Sequence, residues 1–167
     1  GYAAQLAVAA GAEVVGVCGT ANVDLVRSYG VSRVIDHTRG SWAEDAAYDV
    51  ILDAVGTASL RACRRALRPG GSYVMIGGPK ANPWLDPLTR IVAGPVVFAR
   101  GSRRFRQFTA AATTADLALL MDEVVAGRLR PVVTRRIALP EVPAALAAFA
   151  TGRARGKVVV DIAGAPS

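Results

Sequence analysis

The sequence predicts an α/β fold built on a parallel β-sheet that helices cover on both faces. Over the first 80 residues, short apolar runs rich in β-branched side chains alternate with stretches whose apolar residues recur at helical spacing. Glycine or proline follows most of these segments, which is typical of positions where helices and strands end. Strands that are apolar along their whole length, between amphipathic helices, are typical of parallel sheets buried on both sides.

The first 40 residues predict two helix–strand pairs. The opening helix is rich in alanine and is closed by Gly11, and the second helix starts with Asn22 as its capping residue and stops at Gly30. Each helix is separated from the next by a short β-branched run, and the second run ends at Asp36. The predicted ranges are a helix over 1–11, a strand over 13–18, a helix over 22–30 and a strand over 33–35.

The middle of the chain predicts the remaining strands of the sheet. One strand closes at Asp53, and in the following helix Leu60, Cys63 and Leu67 share one face, with a Pro-Gly-Gly run after them as the stop signal. The prolines and the tryptophan between 80 and 102 leave that stretch unassigned. The predicted ranges are strands over 49–52, 72–76 and 105–109 and a helix from 117 that ends at Gly127.

The last 40 residues differ in pattern from the rest. They predict an extended strand over 131–139, a helix with Val142 and Leu146 on one face, and a final strand over 157–162. We therefore expect a sheet domain followed by a C-terminal strand–helix–strand segment. The predicted division is 1–127 and 128–167.

Composition narrows the classes of function. The net charge of +7 comes almost entirely from arginines that are scattered except between Arg100 and Arg106, so we expect a solvated basic surface and no nucleic-acid partner. No run of about 20 apolar residues occurs, so no membrane span is expected. One histidine and two distant cysteines cannot build a four-ligand zinc site, and unpaired cysteines are typical of a reducing compartment. We expect no zinc and a cytoplasmic location.

The turns after the predicted strands form the expected binding edge. Ligands of parallel α/β sheets bind at the carboxyl ends of the strands, near a topological switch point. Four turns of this sequence would lie along that single edge, and they begin at Gly19, Asp36, Asp53 and Gly77.

Four segments in a fixed order carry a family resemblance. They are Ala3–Gly30, Val34–Thr38, the pair Tyr48–Gly56 and Arg64–Pro79, and Gly127–Val160. Together they resemble the C-terminal half of the medium-chain dehydrogenase/reductase family, in its zinc-independent quinone oxidoreductase-like branch. Many members of that branch are described as zinc-binding dehydrogenases or NAD(P)-dependent alcohol dehydrogenases. The resemblance implies a Rossmann-like doubly wound parallel sheet and hydride transfer between a nicotinamide cofactor and a quinone, enone or alcohol/carbonyl substrate.

The family resemblance also implies a missing part. In relatives a glycine-rich fingerprint precedes the helix that contains Gln5-Leu6-Ala7, which puts its last glycine just before Gly1. The fingerprint, the first strand of the sheet and the catalytic domain on which 128–167 would pack are therefore expected outside this sequence. Because the fingerprint's backbone N–H groups hold the pyrophosphate, we expect open strand edges, low stability and no catalysis by this chain alone. No catalytic residue is predicted.

The resemblance implies cofactor contacts after the first two strands. Gly19, Thr20 and Asn22 occupy the turn where an NAD-preferring relative usually carries an acidic residue for the ribose 2′-hydroxyl. With no carboxylate there, and with no arginine or lysine to hold a phosphate, we expect only a weak preference for NADP (NADPH) over NAD. His37 stands where relatives carry a tyrosine against the adenine. Taken alone, the turn is equally well explained as an Asn-capped helix start, and His37 is a surface-loop histidine.

Later turns supply the remaining expected contacts. Asp53 is expected to cap its own loop and not to act as a general base, because no histidine or lysine stands near it in the sequence. Lys157 matches a family lysine that can lie close to the cofactor, and is otherwise a strand-start lysine facing solvent. The resemblance places beside the adenosine or the nicotinamide Ala54, Val55, Gly56, Ile76, Gly77 and Gly78.

Two other classes of protein stay open from the sequence. A class I methyltransferase-like domain also carries an LRPGG turn before an apolar strand, although Gly127–Val160 fits the dehydrogenase family better. An isolated fragment or degenerate subunit would bind partners through its exposed sheet edge. For the full-length protein we expect a dinucleotide cofactor, a small-molecule substrate and a homodimer.

Overall fold

A computed structural model of the chain describes residues 1–44, 47–76, 85–108, 111, 113–150 and 156–162. Helices and strands alternate along it, as the sequence predicts, except that β3 directly follows β2. The helices are α1 (Tyr2–Ala9), α2 (Val23–Arg27), α3 (Leu60–Ala66), α4 (Leu85–Phe98), α5 (Thr114–Val125) and α6 (Val142–Ala150). The strands are β1 (Val15–Cys18), β2 (Arg33–Asp36), β3 (Tyr48–Asp53), β4 (Leu67–Met75), β5 (Arg104–Gln107), β6 (Val133–Ala138) and β7 (Lys157–Asp161).

The chain forms two compact units. The first unit combines 1–40 with 113–167, and the second unit spans 41–112. The first unit contains two two-stranded sheets, β1-β2 and β6-β7, and the second unit contains the three-stranded sheet β3-β4-β5. Every strand pair is parallel, which confirms the predicted parallel α/β class. The division at 127/128 stays a prediction.

The core of the second unit is built around aromatic side chains. Tyr73 on β4 is fully buried, and its ring stacks on Phe98 of α4 and on Phe105 of β5, with both centroid distances 5.7 Å. Cys63 and Leu67 close the core from α3 and the start of β4. Cys63 is therefore a buried apolar residue, as its helical spacing predicts.

The boundary between α3 and β4 differs from the prediction. The helix ends at Ala66, and the Pro-Gly-Gly run expected to end it belongs to β4. Leu67 pairs with Tyr48 and the register then jumps to Ser72 opposite Val50, so the intervening residues bulge from the ladder. Gly70, with φ at 82°, supplies the left-handed backbone conformation that this bulge needs.

A helix occupies most of the stretch that the sequence left unassigned. This helix, α4, contains Pro95 in its interior. Gly94 faces the aromatic core, and a Cβ at that position would overlap the Phe105 ring. The missing side chain therefore allows α4 and β5 to approach each other. The strand expected over 105–109 begins one residue earlier, at Arg104.

Polar contacts at both ends of the sequence organise the first unit. The Gln5 side chain, 8% exposed, donates to the Arg130 carbonyl at 3.1 Å and accepts from the Arg130 N–H at 2.8 Å, which joins α1 to the approach to β6. The start of α5 carries a capping box between Thr113 and Asp116. The predicted strand–helix–strand of the C-terminal segment is confirmed as β6, α6 and β7.

Strands β1 and β3 each end a described sheet and leave one edge unpaired. Within the described residues, β1 pairs only with β2 and β3 pairs only with β4, so the backbone on the other side of each strand has no strand partner. Apolar side chains on these strands face solvent, with Val17 42%, Val50 60% and Leu52 47% exposed. Among the described helices, none is long and apolar enough to span a membrane.

Candidate functional site

The carboxyl ends of β1 and β2 bring three expected site residues together. Cys18 pairs with Asp36 at the last register position, and the His37 N–H donates to the Cys18 carbonyl at 3.0 Å. A Cβ added at Gly19 would lie 3.7 Å from His37 Nε2. Gly19, Thr20 and His37 are thus neighbours at the strand ends, where α/β sheets bind nucleotides.

Asp36 links these turns, and the sequence did not single it out as a site residue. The Thr20 hydroxyl donates to Asp36 Oδ2 at 2.6 Å, and the Thr38 hydroxyl donates to Asp36 Oδ1 at 2.7 Å. The hydrogen bonds from Thr20 and Thr38 lower the pKa of Asp36 to about 2, helped by Arg39 3.8 Å away. The signal for this role was the position of an aspartate at the end of a strand.

Asn22 does not act as the sequence predicts. A 3₁₀ turn over Thr20–Asn22 precedes α2, and the Asn22 side chain makes no capping hydrogen bond at the N-cap position. Its Oδ1 is buried without a partner. The turn is closed by backbone instead, because the Asn22 N–H donates to the Gly19 carbonyl at 2.9 Å.

Asp53 organises the turn after β3. Its Oδ1 accepts from the Val55 N–H at 3.1 Å and from the Gly56 N–H at 2.7 Å, which confirms the expected loop-capping role. Gly56 is buried with φ at 75°, so the turn requires a residue without a Cβ. Ala54 and Val55 are exposed, and Ile76 extends the ladder by donating its N–H to the Asp53 carbonyl at 3.0 Å.

The other carboxylate oxygen of Asp53 has two partners. Tyr73 donates its hydroxyl to Oδ2 at 2.7 Å, and Arg90 Nη2 lies 3.2 Å from the same oxygen. The Asp53 and Arg90 side chains are each 12% exposed, so the ion pair is largely desolvated. Burial raises the pKa of the Tyr73 hydroxyl, and burial followed by the charge of Asp53 raises the pKa of Cys63 to about 11. Both groups stay protonated at neutral pH.

Lys157 lies in a different part of the first unit. Its N–H donates to the Val132 carbonyl at 2.8 Å, and its ammonium stands 5.4 Å from the centre of the Tyr2 ring. It lines a cavity of about 400 Å³ at the amino end of α1, together with Gln5 and Tyr29. A lysine and a helix N-terminus both favour an anion there.

Two expected glycines and the possible metal ligands remain to be placed. Gly77 and Gly78 lie outside the described residues. Both cysteines are free, and the residues that the structure describes contain no group of three His, Cys, Asp or Glu side chains able to hold a metal ion.

The parallel α/β architecture and its polar strand ends define a nucleotide-binding class of fold. Residues 29–160 match the family model described as zinc-binding dehydrogenase. The chain belongs to this family of the medium-chain dehydrogenases/reductases and corresponds to its C-terminal, NAD(P)-binding portion. The methyltransferase alternative gains no support from this match.

Two curated relatives are similar to this chain over nearly its whole length. The mitochondrial NAD(P)H oxidoreductase RTN4IP1 of Mus musculus is 31% identical over 96% of this chain and 44% of its own length. The trans-enoyl reductase pgmF of Aspergillus terreus is 29% identical over 96% and 48%. The chain spans about half the length of the curated relatives it matches.

Solved structures show the same fold. The quinone oxidoreductase of Coxiella burnetii superimposes with a TM-score of 0.79 at 22% identity, covering 97% of this chain and 49% of that one. A thermostable alcohol dehydrogenase of Pyrobaculum aerophilum gives a TM-score of 0.69 at 26% identity, covering 95% and 45%. The Rossmann-like cofactor-binding half predicted from the sequence is confirmed.

Proposed function

We propose that this chain is the cofactor-binding portion of an NAD(P)H-dependent oxidoreductase that transfers hydride to or from a quinone, enone or alcohol/carbonyl substrate. The observation that carries the proposal is the cluster of Gly19, Thr20 and His37 at the carboxyl ends of two parallel strands. A family match over residues 29–160 and homology to NAD(P)H oxidoreductases support it.

The chain's own residues would bind and orient the cofactor. In the first unit, the turn of Thr20 and the imidazole of His37 would meet the adenosine phosphate and the adenine. For the second unit, the family resemblance alone implies that the amides fixed by Asp53 would lie along the ribose. Lys157 and the amino end of α1 would meet the pyrophosphate. The bound nicotinamide supplies the hydride chemistry. Turnover would require the catalytic half that relatives carry beyond the region matched here.

A weak preference for NADP(H) over NAD(H) is part of the proposal. The turn over 19–22 has no carboxylate, so it does not itself repel a 2′-phosphate. Asp36, 2.6 Å from the Thr20 hydroxyl, nevertheless places a negative charge beside this turn and takes the hydroxyl hydrogen that a phosphate would need. The two effects oppose each other, which keeps the preference small.

Zinc, location and oligomeric state stay predictions. We propose hydride transfer without zinc for the part of the protein that this chain supplies, because its one histidine and two distant cysteines do not fit such a site. The two free cysteines support a reducing compartment, for which we propose the cytoplasm. A homodimer is proposed from the family resemblance alone.

Titration calorimetry of NADPH and NADH into the chain, after circular dichroism has shown that it is folded, tests the proposal. We expect NADPH to bind about threefold to tenfold more tightly than NADH, a difference of about 1 kcal/mol. Thr20→Val should change the ratio of the NADPH and NADH affinities. The matched variant Thr20→Ser should keep it, since serine retains the hydroxyl that donates a hydrogen bond to Asp36. A folded chain that binds neither dinucleotide would overturn the proposed function.

A further inference from the structure

Two side chains from two different elements meet at one carboxylate oxygen of Asp53 in the second unit. Asp53 ends β3, Tyr73 lies on β4, and Arg90 lies on α4. The Tyr73 hydroxyl is 2.7 Å from Asp53 Oδ2, and Arg90 Nη2 is 3.2 Å from that oxygen and 2.7 Å from the Tyr73 hydroxyl. Each member of this triad therefore contacts both of the others.

The surroundings fix the positions of the two donors. The Tyr73 ring is fully buried between Phe98 and Phe105, so its hydroxyl has little freedom to move. Arg90 Nη1 donates to the Ala58 carbonyl at 2.8 Å, which anchors the guanidinium beyond the turn that follows β3. The donors thus arrive from a rigid core and not from a mobile surface.

The two oxygens of Asp53 have separate tasks. Oδ2 is held by Tyr73 and Arg90, while Oδ1 accepts the N–H groups of Val55 and Gly56. A largely buried carboxylate that lost its cation would tend to turn toward water, because an unpaired buried charge is strongly unfavourable. The direction of Oδ1, and with it the shape of the turn over 54–56, therefore depends on Tyr73 and Arg90.

We propose that Tyr73 and Arg90 are positioning residues that preset the 54–56 turn for the cofactor through Asp53. The inference rests on the proposed function, in which this turn lies along the ribose. Neither residue touches the cofactor in this scheme, and both act on affinity through the geometry of two backbone amides. Both oxygens of Asp53 accept hydrogen bonds from the protein itself, and this carboxylate has a positioning role only in the proposal.

The direct test is backbone amide hydrogen exchange by NMR on the full chain, followed by NADPH titration of the same samples. In Tyr73→Phe the aromatic stack stays and only the hydroxyl is lost, so the protein should fold. We expect exchange at the Val55 and Gly56 amides to accelerate about tenfold, as for the loss of one hydrogen bond to a charged group. The NADPH dissociation constant should rise by about the same factor.

Further variants separate positioning from general destabilisation. Arg90→Lys keeps the charge and should restore most of the protection that Arg90→Met loses. Should Arg90→Met fail to fold, Tyr73→Phe and Arg90→Lys carry the test. Arg64→Met is the matched control, because Arg64 also donates to a backbone carbonyl, that of Arg100, at 2.6 Å and also has a buried Nε without a partner. It should leave exchange at 55 and 56 unchanged.

The outcomes are distinct. The Asp116 amide, bound to the Thr113 hydroxyl in the first unit, is the internal reference and should not change in any of these variants. Unchanged exchange at Val55 and Gly56 in Tyr73→Phe and Arg90→Met overturns the inference, as does faster exchange with an unchanged NADPH affinity. A wild-type chain with protected amides that binds no dinucleotide overturns the proposed function instead.

Discussion

At the scale of single residues, the hydrogen-bond partner of Thr20 limits what the turn over 19–22 can offer to a phosphate. The turn over 19–22 contains Thr20, which can donate one hydrogen bond. In the folded chain that hydrogen is directed to Asp36, and the Thr38 hydroxyl is directed to the other oxygen of the same carboxylate. The site therefore offers a phosphate fewer donors than its sequence suggests, and Asp36 sets this limit.

Asp36 should make stability depend on pH in acid. Its pKa is lowered from 3.8 to about 2 in the folded chain, so its contribution to the free energy of unfolding is complete above about pH 4. The contribution is lost as the pH falls through about 2, because the unfolded chain binds the proton first. Urea unfolding of wild type and Asp36→Asn from about pH 6 to about pH 3 measures it as a difference.

The difference between the two proteins is the informative quantity. It should be constant near neutrality and shrink below about pH 4, since Asp36→Asn has no carboxyl to protonate. Asp24→Asn is a suitable control, because Asp24 is 96% exposed and bonded only to Arg27 three residues away. A difference that stays constant down to about pH 3 would show that Thr20 and Thr38 do not hold the carboxylate in solution.

At the scale of elements, the packing of α4 on β5 depends on one glycine. Gly94 is buried in α4, and a Cβ there would overlap the Phe105 ring. Helix propensity alone would favour alanine at this position by about 1 kcal/mol. Overlap of the added Cβ with the Phe105 ring opposes that preference. Whether Gly94→Ala raises or lowers the free energy of unfolding therefore shows whether helix propensity or packing dominates.

We expect Gly94→Ala to destabilise the protein. Overpacking costs about 1–3 kcal/mol, which exceeds the gain in helix propensity and leaves a net loss of about 1 kcal/mol in the free energy of unfolding. Gly40→Ala is the matched control, because no atom lies within 4 Å of its Cβ position, and it should change stability by less than about 0.5 kcal/mol. Urea titration followed by circular dichroism measures both, and a Gly94→Ala protein as stable as wild type would contradict the packing.

At the scale of the whole molecule, the two units are unequally buried. The second unit contributes most of the buried apolar side chains among the described residues, including Cys63, Leu67 and Tyr73. Those of the first unit are Leu129, Ile137 and Ala145. The first unit also relies on two-stranded sheets, which are marginal by themselves.

Hydrogen exchange should therefore differ between the units. Peptides covering β3 and β4 should exchange at least about tenfold more slowly than peptides covering β1 and β2, because buried apolar contacts determine local opening. Mass spectrometry of the deuterated, digested chain measures this, with the capped helix α5 as a reference of intermediate protection. Equal protection of β1 and β4 would mean that the open edge of β1 is covered in solution.

The sequence by itself determined the class of the fold, and it predicts the place of the site. Apolar β-branched runs and helical spacing are local signals, so the order of strands and helices followed from them, and the binding edge stays a prediction. The predicted end of α3 was too late, because Pro69 lies in the bulge of β4 and does not mark the end of the helix. Helix α4 was not predicted, because Pro95 is tolerated inside a helix that packs on the core. Element boundaries depend on such accommodation.

Only the tertiary structure decided how each of the two candidate turns, the one at Asp36 and the one at Asp53, is held together. The Asp36 contacts join residues from two strand ends, and the Asp53 triad joins residues up to 37 positions apart. Such contacts arise from the folding of distant segments onto one another, and the residues adjacent to Arg90 or Tyr73 in the sequence do not predict them. Local periodicity encodes which elements form, whereas burial and charge pairing between elements decide which polar groups remain available to a ligand.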